Sequence, residues 1–521
     1  MKTNYSACHG LSRQATYFPD EQVLTYGDRT WTYREFQADV TAFARALHAE
    51  GVERGARVCY LGFNSSTFLI QMFAAWWLGA VFVPMNFRLP PREIAPLVQR
   101  ANPKVVITEP SHLEHAEAVV AAGVRSLFVL VDNDDLVPVP DQIPAPLIRL
   151  TQLLTTHEEV SLPEMAHVDP DELAILMFTS GTTGIPKGVQ LTFGNVWWNS
   201  VNVDSLVDTR RGDHNLAVAP MFHIGGLNAL TIRSMVRGGH TLVRRNFDPG
   251  ETLADIESFA VNQTFLVPAM VGALSQHPHF ENHDLSSLRA LICAGAPMPP
   301  SLIDIFKHKQ VPVQQAWGLT ETAPFATYLP TELTHAKAGS CGIPMPYTEV
   351  RIADPATGEV ITEPGVSGEM QVRGPNVTPG YYQDAEVTAA AFSDDWFRTG
   401  DIGHLDEDGF FFIVDRLKDM IITGGENVYP AELERVLAEM PGVLDVAVVG
   451  QADEKWGEAV VAVLTCCDGV EPTVEEGRDF CSQYLARYKL PKKVLVIGEI
   501  PRSGSGKLMK REVRDIVEHE A

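Results

Sequence analysis

The sequence has few cysteines, and their arrangement excludes the sites that cysteines usually build. Seven occur among 521 residues, at positions 8, 59, 293, 341, 466, 467 and 481. The odd number, the adjacent pair and the absence of Cys-x-x-Cys spacing fit neither a disulfide framework nor a zinc site. Residues 1–10 also lack the apolar segment of a secretory signal peptide. The expected setting is therefore a reducing compartment, the cytoplasm.

Positive charge is also scarce. Lys and Arg number 41 against 66 Asp and Glu, which gives a formal net charge of −25. Because neutralising nucleic-acid phosphates needs clustered cations, this balance argues against a general nucleic-acid binder. Electrostatic docking on an anionic membrane is disfavoured for the same reason.

One uncharged run, residues 68–85, approaches the length of a membrane span, which needs about 20 apolar residues. Gly79 and Pro84 interrupt it. We therefore expect a buried helix over Thr67–Leu78, a stop at Gly79 and a short strand over Ala80–Pro84. No transmembrane segment is expected.

What the sequence does contain is typical of a large enzyme of the α/β class. Helical and strand-like segments alternate up to about residue 246, a pattern that favours a parallel sheet. Residues 339–414 are turn-rich and strand-like and predict a β-rich subdomain. Beyond residue 417 two helical and two strand-like segments predict a small α+β domain. We place the boundary between 417 and 418.

A loop rich in glycine and hydroxyl groups follows the apolar segment Leu173–Phe178. Residues 179–188 read TSGTTGIPKG. Glycine lets backbone amides approach a phosphate, hydroxyls donate to its oxygens, and Lys187 adds charge. It is not a Walker loop, because Pro186 stands where that motif needs its Gly-Lys pair. Composition alone fits a phosphate loop and a polar surface turn equally.

The run TSGTTGIPKGV resembles the signature loop of the adenylate-forming superfamily, which contains acyl-CoA synthetases, adenylation domains and luciferases. Seven further segments resemble family motifs in the family's order. They are APMFH at 219–223, GAP at 295–297, WGLTE at 317–321, FRTGD at 397–401, DRLKD at 415–419, GGENVYP at 424–430 and PRSGSGKL at 501–508. Trp317 stands in the family's tyrosine place, and the N-terminal third fits more loosely.

The resemblance implies a fold and a reaction. The fold is a large α/β body of several subdomains, 1–417, followed by a small mobile lid, 418–521, with its hinge at Lys418. In the reaction, ATP and a carboxylic acid give acyl-AMP and pyrophosphate, and the thiol of CoA then gives acyl-CoA and AMP. ATP and CoA are the expected co-substrates, and Mg²⁺ is the expected cofactor. A homodimer is compatible with the sequence.

The same resemblance implies roles for individual residues. Lys507 would stabilise the charge on the pentavalent phosphorus, Glu321 would hold Mg²⁺, and Thr320 would donate to the α-phosphate. Asp401 would accept hydrogen bonds from the ribose hydroxyls, and Arg416 would reach the sugar. The other expected contacts of ATP or AMP are Thr179, Ser180, Gly181, Thr182, Thr183, Gly184, Lys187, Gly295, Ala296, Pro297, Trp317 and Gly318.

Several of these roles have a structural alternative, and Glu321 could be an ordinary surface acid. Lys507 could be a solvated lysine of the tail, like Lys510. Asp401 could form an ion pair with Arg398, and Trp317 could be a core aromatic residue.

Two further groups of residues follow from the resemblance. The acyl pocket is expected to include His223, Gly225, Val267 and Gly295. Gly424, Gly425 and Glu426 are expected to line the channel for the pantetheine arm of CoA. His223 would lie between acyl pocket and thiol entry and act as a gate, although a lone histidine in an apolar run is more often a core residue. Phe193 stands where many relatives carry a histidine, so no role is assigned there.

The acid itself is expected to be uncharged beyond its carboxylate. Residues 222–230 contain no Asp or Glu, so the ammonium of an α-amino acid would be buried unpaired. We expect a medium- or long-chain fatty acid, with an aryl acid of the cinnamate or benzoate type as the alternative. A carrier protein in place of CoA, and a non-catalytic acyl-adenylate or lipid-binding protein, also stay open.

Overall fold

The computed structural model describes residues 3–134, 136–179, 186–296, 298–423, 426–453, 457–502 and 508–520. Contacts divide the chain into two compact units, Met1–Val350 with Val372–Phe397 and Arg351–Gln371 with Arg398–Ala521. Contacts thus group part of the β-rich region with the C-terminal residues. The expected domains, 1–417 and 418–521, stay a prediction.

The described strands are numbered in chain order. They are β1 Gln22–Tyr26, β2 Arg29–Thr32, β3 Arg57–Leu61, β4 Val81–Pro84, β5 Val105–Thr108, β6 Leu127–Leu130, β7 Ile148–Arg149, β8 Leu173–Thr179, β9 Lys187–Thr192, β10 His214–Ala217, β11 His240–Val243, β12 Gln263–Leu266, β13 Ala290–Cys293, β14 Val313–Gly318, β15 Phe325–Tyr328, β16 Ile343–Pro344, β17 Glu349–Ala353, β18 Val360–Ile361, β19 Gly368–Arg373, β20 Phe392–Ser393, β21 Trp396–Leu405, β22 Phe411–Arg416, β23 Ile421–Thr423, β24 Glu426–Val428, β25 Val443–Asp453, β26 Gly457–Cys466 and β27 Lys493–Val496.

The described α-helices are numbered in the same way. They are α1 Ala7–Tyr17, α2 Tyr33–Ala49, α3 Ser66–Trp77, α4 Pro91–Ala101, α5 Leu113–Ala121, α6 Leu150–Thr156, α7 Phe193–Asp204, α8 Ile224–Asn228, α9 Thr231–Arg237, α10 Pro249–Ser258, α11 Pro268–Gln276, α12 Pro300–His308, α13 Ala385–Ala390, α14 Pro430–Leu437, α15 Val474–Ser482 and α16 Lys510–His519.

Two large sheets form the first unit. The nine-stranded sheet has the order β16-β15-β14-β13-β12-β10-β11-β1-β2, and the seven-stranded sheet has the order β7-β6-β5-β3-β4-β8-β9. Neighbours from β14 to β1 in the first sheet pair in parallel. Helices between parallel strands are the expected connections, so the α/β class predicted from the alternation is confirmed.

Two further sheets follow along the chain. Residues 349–416 form a six-stranded sheet, in which β18-β17-β19-β21-β20 are neighbours and β22 pairs with β21. Residues 421–496 form a five-stranded sheet, in which β24-β23-β26-β25 are neighbours and β27 pairs with β26. The helices α14 and α15 belong to this C-terminal α+β part, as expected.

The long uncharged run forms a helix and a strand, as predicted. Helix α3 begins after Ser65, whose side chain accepts a hydrogen bond from the Phe68 amide, and all twelve residues of the helix are buried. Gly79 follows the helix with a φ of 68°, and the buried strand β4 comes next. No helix among the described residues is long and apolar enough to cross a bilayer.

Candidate active site

Most of the expected site residues of the first unit lie at one edge of the nine-stranded sheet. The segment 219–223 follows β10, Val267 follows β12, Gly295 and Ala296 follow β13, and Trp317 and Gly318 end β14. Because β10, β12, β13 and β14 are parallel neighbours, their carboxyl ends meet at the same edge. This edge is where open α/β sheets bind ligands.

The glycine-rich loop closes an antiparallel hairpin. Its first residue, Thr179, ends β8 and lies opposite Lys187, which begins β9. The strands therefore hold both ends of the loop, in a sheet that is separate from the one carrying Trp317. Ser180, Gly181, Thr182, Thr183 and Gly184 lie outside the described residues.

Glu321 is held by a tyrosine that sequence reasoning missed. The Tyr381 hydroxyl donates a hydrogen bond to Oε1 of Glu321 at 2.8 Å, and both residues are buried. Burial, together with the Glu321 charge, raises the pKa of Tyr381, so the phenol stays protonated and donates. The ammonium of Lys187 lies 5.0 Å from the Tyr381 ring centroid. Tyr381 therefore links the expected metal ligand to the end of the glycine-rich loop.

The segment around Trp317 is tightly packed. The Trp317 side chain is buried, and Thr320 begins a short 3₁₀ helix, Thr320–Thr322. A Cβ on Gly318 would lie 1.8 Å from the carbonyl oxygen of Pro324, so only glycine fits there. The prediction that Trp317 contacts adenine stays a prediction.

His223 is not a core residue, because its side chain is exposed. It is the residue before α8, and its ring contacts that of Phe222 with centroids 4.4 Å apart. Phe222 in turn packs on Phe87, with centroids 5.1 Å apart. An exposed imidazole on a buried aromatic base fits the expected gating position, which stays a prediction.

Asn64 was not expected from the sequence, yet it fixes the segment that precedes His223. Its Nδ2 donates to the carbonyl oxygens of Ala219 at 3.0 Å and Arg244 at 3.2 Å. Its Oδ1 accepts from the Met221 amide at 2.8 Å. The buried side chain therefore ties the end of β3 to the chain that follows β10 and β11. No spacing rule in the sequence points to such a long-range contact.

The expected acyl-pocket residues surround an aromatic wall. A Cβ on Gly225 would lie 2.6 Å from Cζ of Phe265, so the glycine makes room for the Phe265 ring. A Cβ on Gly295 would lie 3.6 Å from Val267. Phe265 and Val267 belong to one apolar cluster with Phe325 and neighbouring residues. The surroundings of these residues are therefore apolar, and their role as the acyl pocket stays a prediction.

In the second unit, Asp401 and Arg416 form an ion pair. They lie opposite each other on β21 and β22, with Nε of Arg416 3.0 Å from Oδ1 of Asp401. Arg398, the alternative partner of Asp401, pairs with Glu369 at 3.0 Å. The two residues expected to bind ribose are thus neighbours.

The expected hinge residue Lys418 lies in a 3₁₀ turn, Leu417–Asp419, and burial lowers its pKa. Beside this turn, Lys510 is partly buried, with a side chain 12% exposed, and its ammonium lies 3.0 Å from Glu434 and 3.9 Å from Asp415. The description of Lys510 as a solvated tail residue was therefore wrong.

Several expected residues lie outside the described part of the chain. They are Lys507, Pro297, Gly424 and Gly425, together with the loop residues 180–184. Glu426 begins β24. The roles predicted for all of them stay predictions.

Comparison with known proteins places the chain in a family. The AMP-binding enzyme family matches residues 11–382, and the AMP-binding enzyme C-terminal domain matches residues 432–507. Feruloyl-CoA synthase from Amycolatopsis sp is 40% identical over 96% of this chain and 97% of its own length. Indoleacetate–CoA ligase from Aromatoleum aromaticum is 37% identical over 97% of both chains.

Solved structures agree with this placement. O-succinylbenzoate coenzyme A synthetase from Bacillus subtilis, in complex with ATP and magnesium ion, superposes with a TM-score of 0.85 at 31% identity, covering 97% of this chain and 99% of that one. A fatty acyl CoA synthetase from Mycobacterium tuberculosis gives a TM-score of 0.77 at 34% identity and covers 99% of both chains. The chain belongs to the AMP-binding enzyme family and is an acyl-CoA synthetase.

Proposed function

We propose that the enzyme activates an aryl acid of the cinnamate or aryl-acetate type. The observation that carries this proposal is the full-length similarity to two enzymes whose names state aryl substrates, feruloyl-CoA synthase at 40% and indoleacetate–CoA ligase at 37% identity. We therefore replace the fatty acid expected from the sequence with the alternative, an aryl acid.

The aromatic residues packed near Gly225 support an aromatic substrate. Gly225 lets the Phe265 ring approach the chain that follows β10, and Phe265 lies near Phe325 with centroids 6.3 Å apart. Aromatic rings favour offset or edge-to-face packing on one another. A planar acyl group would therefore find a planar wall here, and residues 222–230 offer it no opposing charge.

The first step needs positive charge around the triphosphate of ATP. Lys187 at the end of the glycine-rich loop, Thr320 and Lys507 would supply cationic or hydrogen-bond donor groups. Asp401 and Arg416 would hold the ribose, because an ionised carboxylate accepts hydrogen bonds from hydroxyl groups.

Glu321 fits a magnesium ligand. Its carboxylate is a hard oxygen donor whose Oε1 already accepts from Tyr381, so the carboxylate is held in a fixed orientation. Among the described residues no group of three His, Cys, Asp or Glu could form a metal cage, and Mg²⁺ commonly uses one or two carboxylates plus substrate phosphates. When bound, the ion would neutralise charge that develops on the phosphate oxygens.

The second step brings the CoA thiol to the acyl-AMP. We propose that His223 borders the thiol entry, since its exposed ring lies on the Phe222 ring. Gly424, Gly425 and Glu426 would line the pantetheine channel, and rotation at Lys418 would exchange Lys507 for this channel between the two steps. A cytoplasmic location and a homodimer stay predictions.

A fatty acid is the second candidate, favoured by the similarity to the mycobacterial fatty acyl CoA synthetase. Pyrophosphate release with ferulate, indoleacetate, benzoate, dodecanoate, palmitate and phenylalanine, each with and without CoA, tests both. We expect the aryl acids to give the largest rates, and release to rise when CoA is added. Faster release with dodecanoate or palmitate would overturn the aryl proposal, and release that ignores CoA would favour a carrier protein.

A further inference from the structure

A row of buried polar side chains crosses three neighbouring strands of the nine-stranded sheet. Thr241 of β11, Asn215 of β10 and Gln263 of β12 lie beside one another in register, and all three are buried. Each has a side-chain oxygen or nitrogen that finds no hydrogen-bond partner among the residues the structure describes. Native proteins pair nearly all such groups, so three in a row call for a chemical reason.

Helix α9 contributes two more groups of this kind. The Arg233 side chain is 1% exposed; its Nε donates to Asp204 at 2.7 Å and its Nη2 to the Thr209 hydroxyl. Its Nη1, like the Ser234 hydroxyl, has no partner within the described parts of the chain. A buried guanidinium N–H without an acceptor is costly, so this nitrogen favours an anionic oxygen.

Arg233, Ser234 and Gln263 line one cavity of about 380 Å³. This volume is within the range of small-molecule sites, roughly 300 to 1,000 Å³, and well above the space that one water needs. We call it the arginine cavity. Its lining residues are Asp204, Thr209, Arg210, Arg211, Asp213, Arg233, Ser234, Arg237, Gly239 and Gln263.

The charge of the arginine cavity favours an anion. Four of its residues are arginines and two are aspartates. Both aspartates are already paired, Asp204 with Arg233 and Arg237, and Asp213 with Arg289. Two of the arginines are also paired, Arg210 with Asp208 and Arg211 with Glu21. The excess of positive charge therefore comes from Arg233 and Arg237, which share the single carboxylate of Asp204.

The arginine cavity is distinct from the candidate active site. Asn215 and Gln263 lie at the amino ends of β10 and β12, and Gly239 directly precedes β11. The candidate active-site residues follow the carboxyl ends of the same strands. The two sites are therefore at opposite edges of the sheet.

We propose that the arginine cavity is a second binding site for a small oxyanion of the phosphate class. A phosphate oxygen would accept a charge-assisted hydrogen bond from the Nη1 of Arg233, and the Ser234 hydroxyl and the Gln263 amide supply further donors. The ligand is inorganic phosphate or the phosphate group of a metabolite. Its binding requires neither acid nor CoA, so this proposal and the proposed function can fail independently.

Equilibrium dialysis with radiolabelled inorganic phosphate tests the proposal. The full chain is used in chloride buffer with saturating AMP, so that the nucleotide site is filled. We expect the wild type to bind one phosphate per chain saturably. The variants Arg237→Gln and Gln263→Leu should each bind phosphate at least tenfold more weakly. Because the Arg237 side chain is 45% exposed, Arg237→Gln should fold normally. This variant keeps the test decisive if Gln263→Leu fails to fold.

The matched control is Arg125→Gln, which removes the same charge from an exposed position and should leave phosphate binding unchanged. Adding glucose 6-phosphate as a competitor distinguishes a site for free phosphate from one that also accepts a phosphate monoester. Absence of saturable binding, or equal binding by the wild type and both cavity variants, would overturn the proposal and leave a cavity that holds water only.

Discussion

At the scale of single residues, the site depends on side chains that orient other side chains. Motif spacing predicted roles for Glu321, Asp401 and Arg416, because each lies inside a short run that resembles a family motif. It could not identify Tyr381, which lies 60 residues from its partner Glu321. Contacts between distant segments depend on how the chain folds back on itself, and a local pattern does not record that.

Replacing the Tyr381 hydroxyl should loosen the expected magnesium ligand. We predict that Tyr381→Phe slows adenylation roughly tenfold, which corresponds to about 1.4 kcal/mol and lies at the upper end of the range of about 0.5–1.5 kcal/mol for a typical hydrogen bond. The concentration of Mg²⁺ that gives half-maximal ATP–pyrophosphate exchange should rise. Tyr382→Phe, on the neighbouring tyrosine, is the control, and an unchanged Mg²⁺ dependence in Tyr381→Phe would contradict the assignment.

Space at Gly225 should decide which acids fit. We predict that Gly225→Ala lowers kcat/KM for the aryl acid at least tenfold, because its Cβ would lie 2.6 Å from the Phe265 ring and overpacking costs about 1–3 kcal/mol. The KM for ATP should not change. Gly272→Ala, whose nearest contact would be 3.9 Å away, is the control. Equal acid kinetics in wild type and Gly225→Ala would place the pocket elsewhere.

At the scale of elements, the sequence predicted where helices and strands lie better than it predicted which strands lie beside one another. Helix α3, strand β4 and the stop at Gly79 follow from local chemistry, since an apolar run and a glycine act within a few residues. The order of the nine-stranded sheet, in which β1 lies beside β11, depends on packing between distant segments. The same is true of the link between β3 and the chain after β10 that Asn64 makes.

Asn64 should act on the acid and on little else. We predict that Asn64→Ala lowers kcat/KM for the acid more than tenfold, because the segment before His223 loses two hydrogen bonds and the chain after β11 loses a third. Asn262→Ala is the matched control, since Asn262 also bonds two backbone groups, the His214 amide at 2.8 Å and the Ser287 carbonyl at 3.4 Å. Both variants should lose stability, measured by urea unfolding. If both variants lost activity to a similar extent, Asn64 would have a structural role only, and the prediction would be wrong.

At the scale of the whole molecule, acid should destabilise the fold. Burial lowers the pKa of His240 and of His112 from 6.5 to about 4. The folded protein prefers both imidazoles neutral, so this contribution is complete above pH 6.5 and is lost as the pH falls towards 4. We predict a loss of roughly 3 kcal/mol for each histidine. Urea unfolding between pH 7 and 4 measures this loss. The free energy of unfolding should decrease less in His240→Gln than in the wild type, and an equal decrease in both would contradict the prediction.

Net charge and length alone limited the classes of protein that the chain could belong to, but they did not identify the residues of the active site. The net charge of −25 argued against polyanions, yet ATP and CoA are polyanions that a few placed cations would hold. The eight ordered motifs predicted the family, the reaction and the α/β class. The acid was predicted less well, because the proposed pocket includes residues such as Phe265, which no motif contains.

The central claim, an aryl-acid CoA ligase, is tested most directly by the ratio of two specificity constants. Formation of acyl-CoA is measured by mass spectrometry with ferulate and with palmitate, each with ATP, Mg²⁺ and CoA. The account predicts a kcat/KM at least a hundredfold higher for ferulate, with AMP formed in equal amount to the thioester. A higher kcat/KM for palmitate would contradict it.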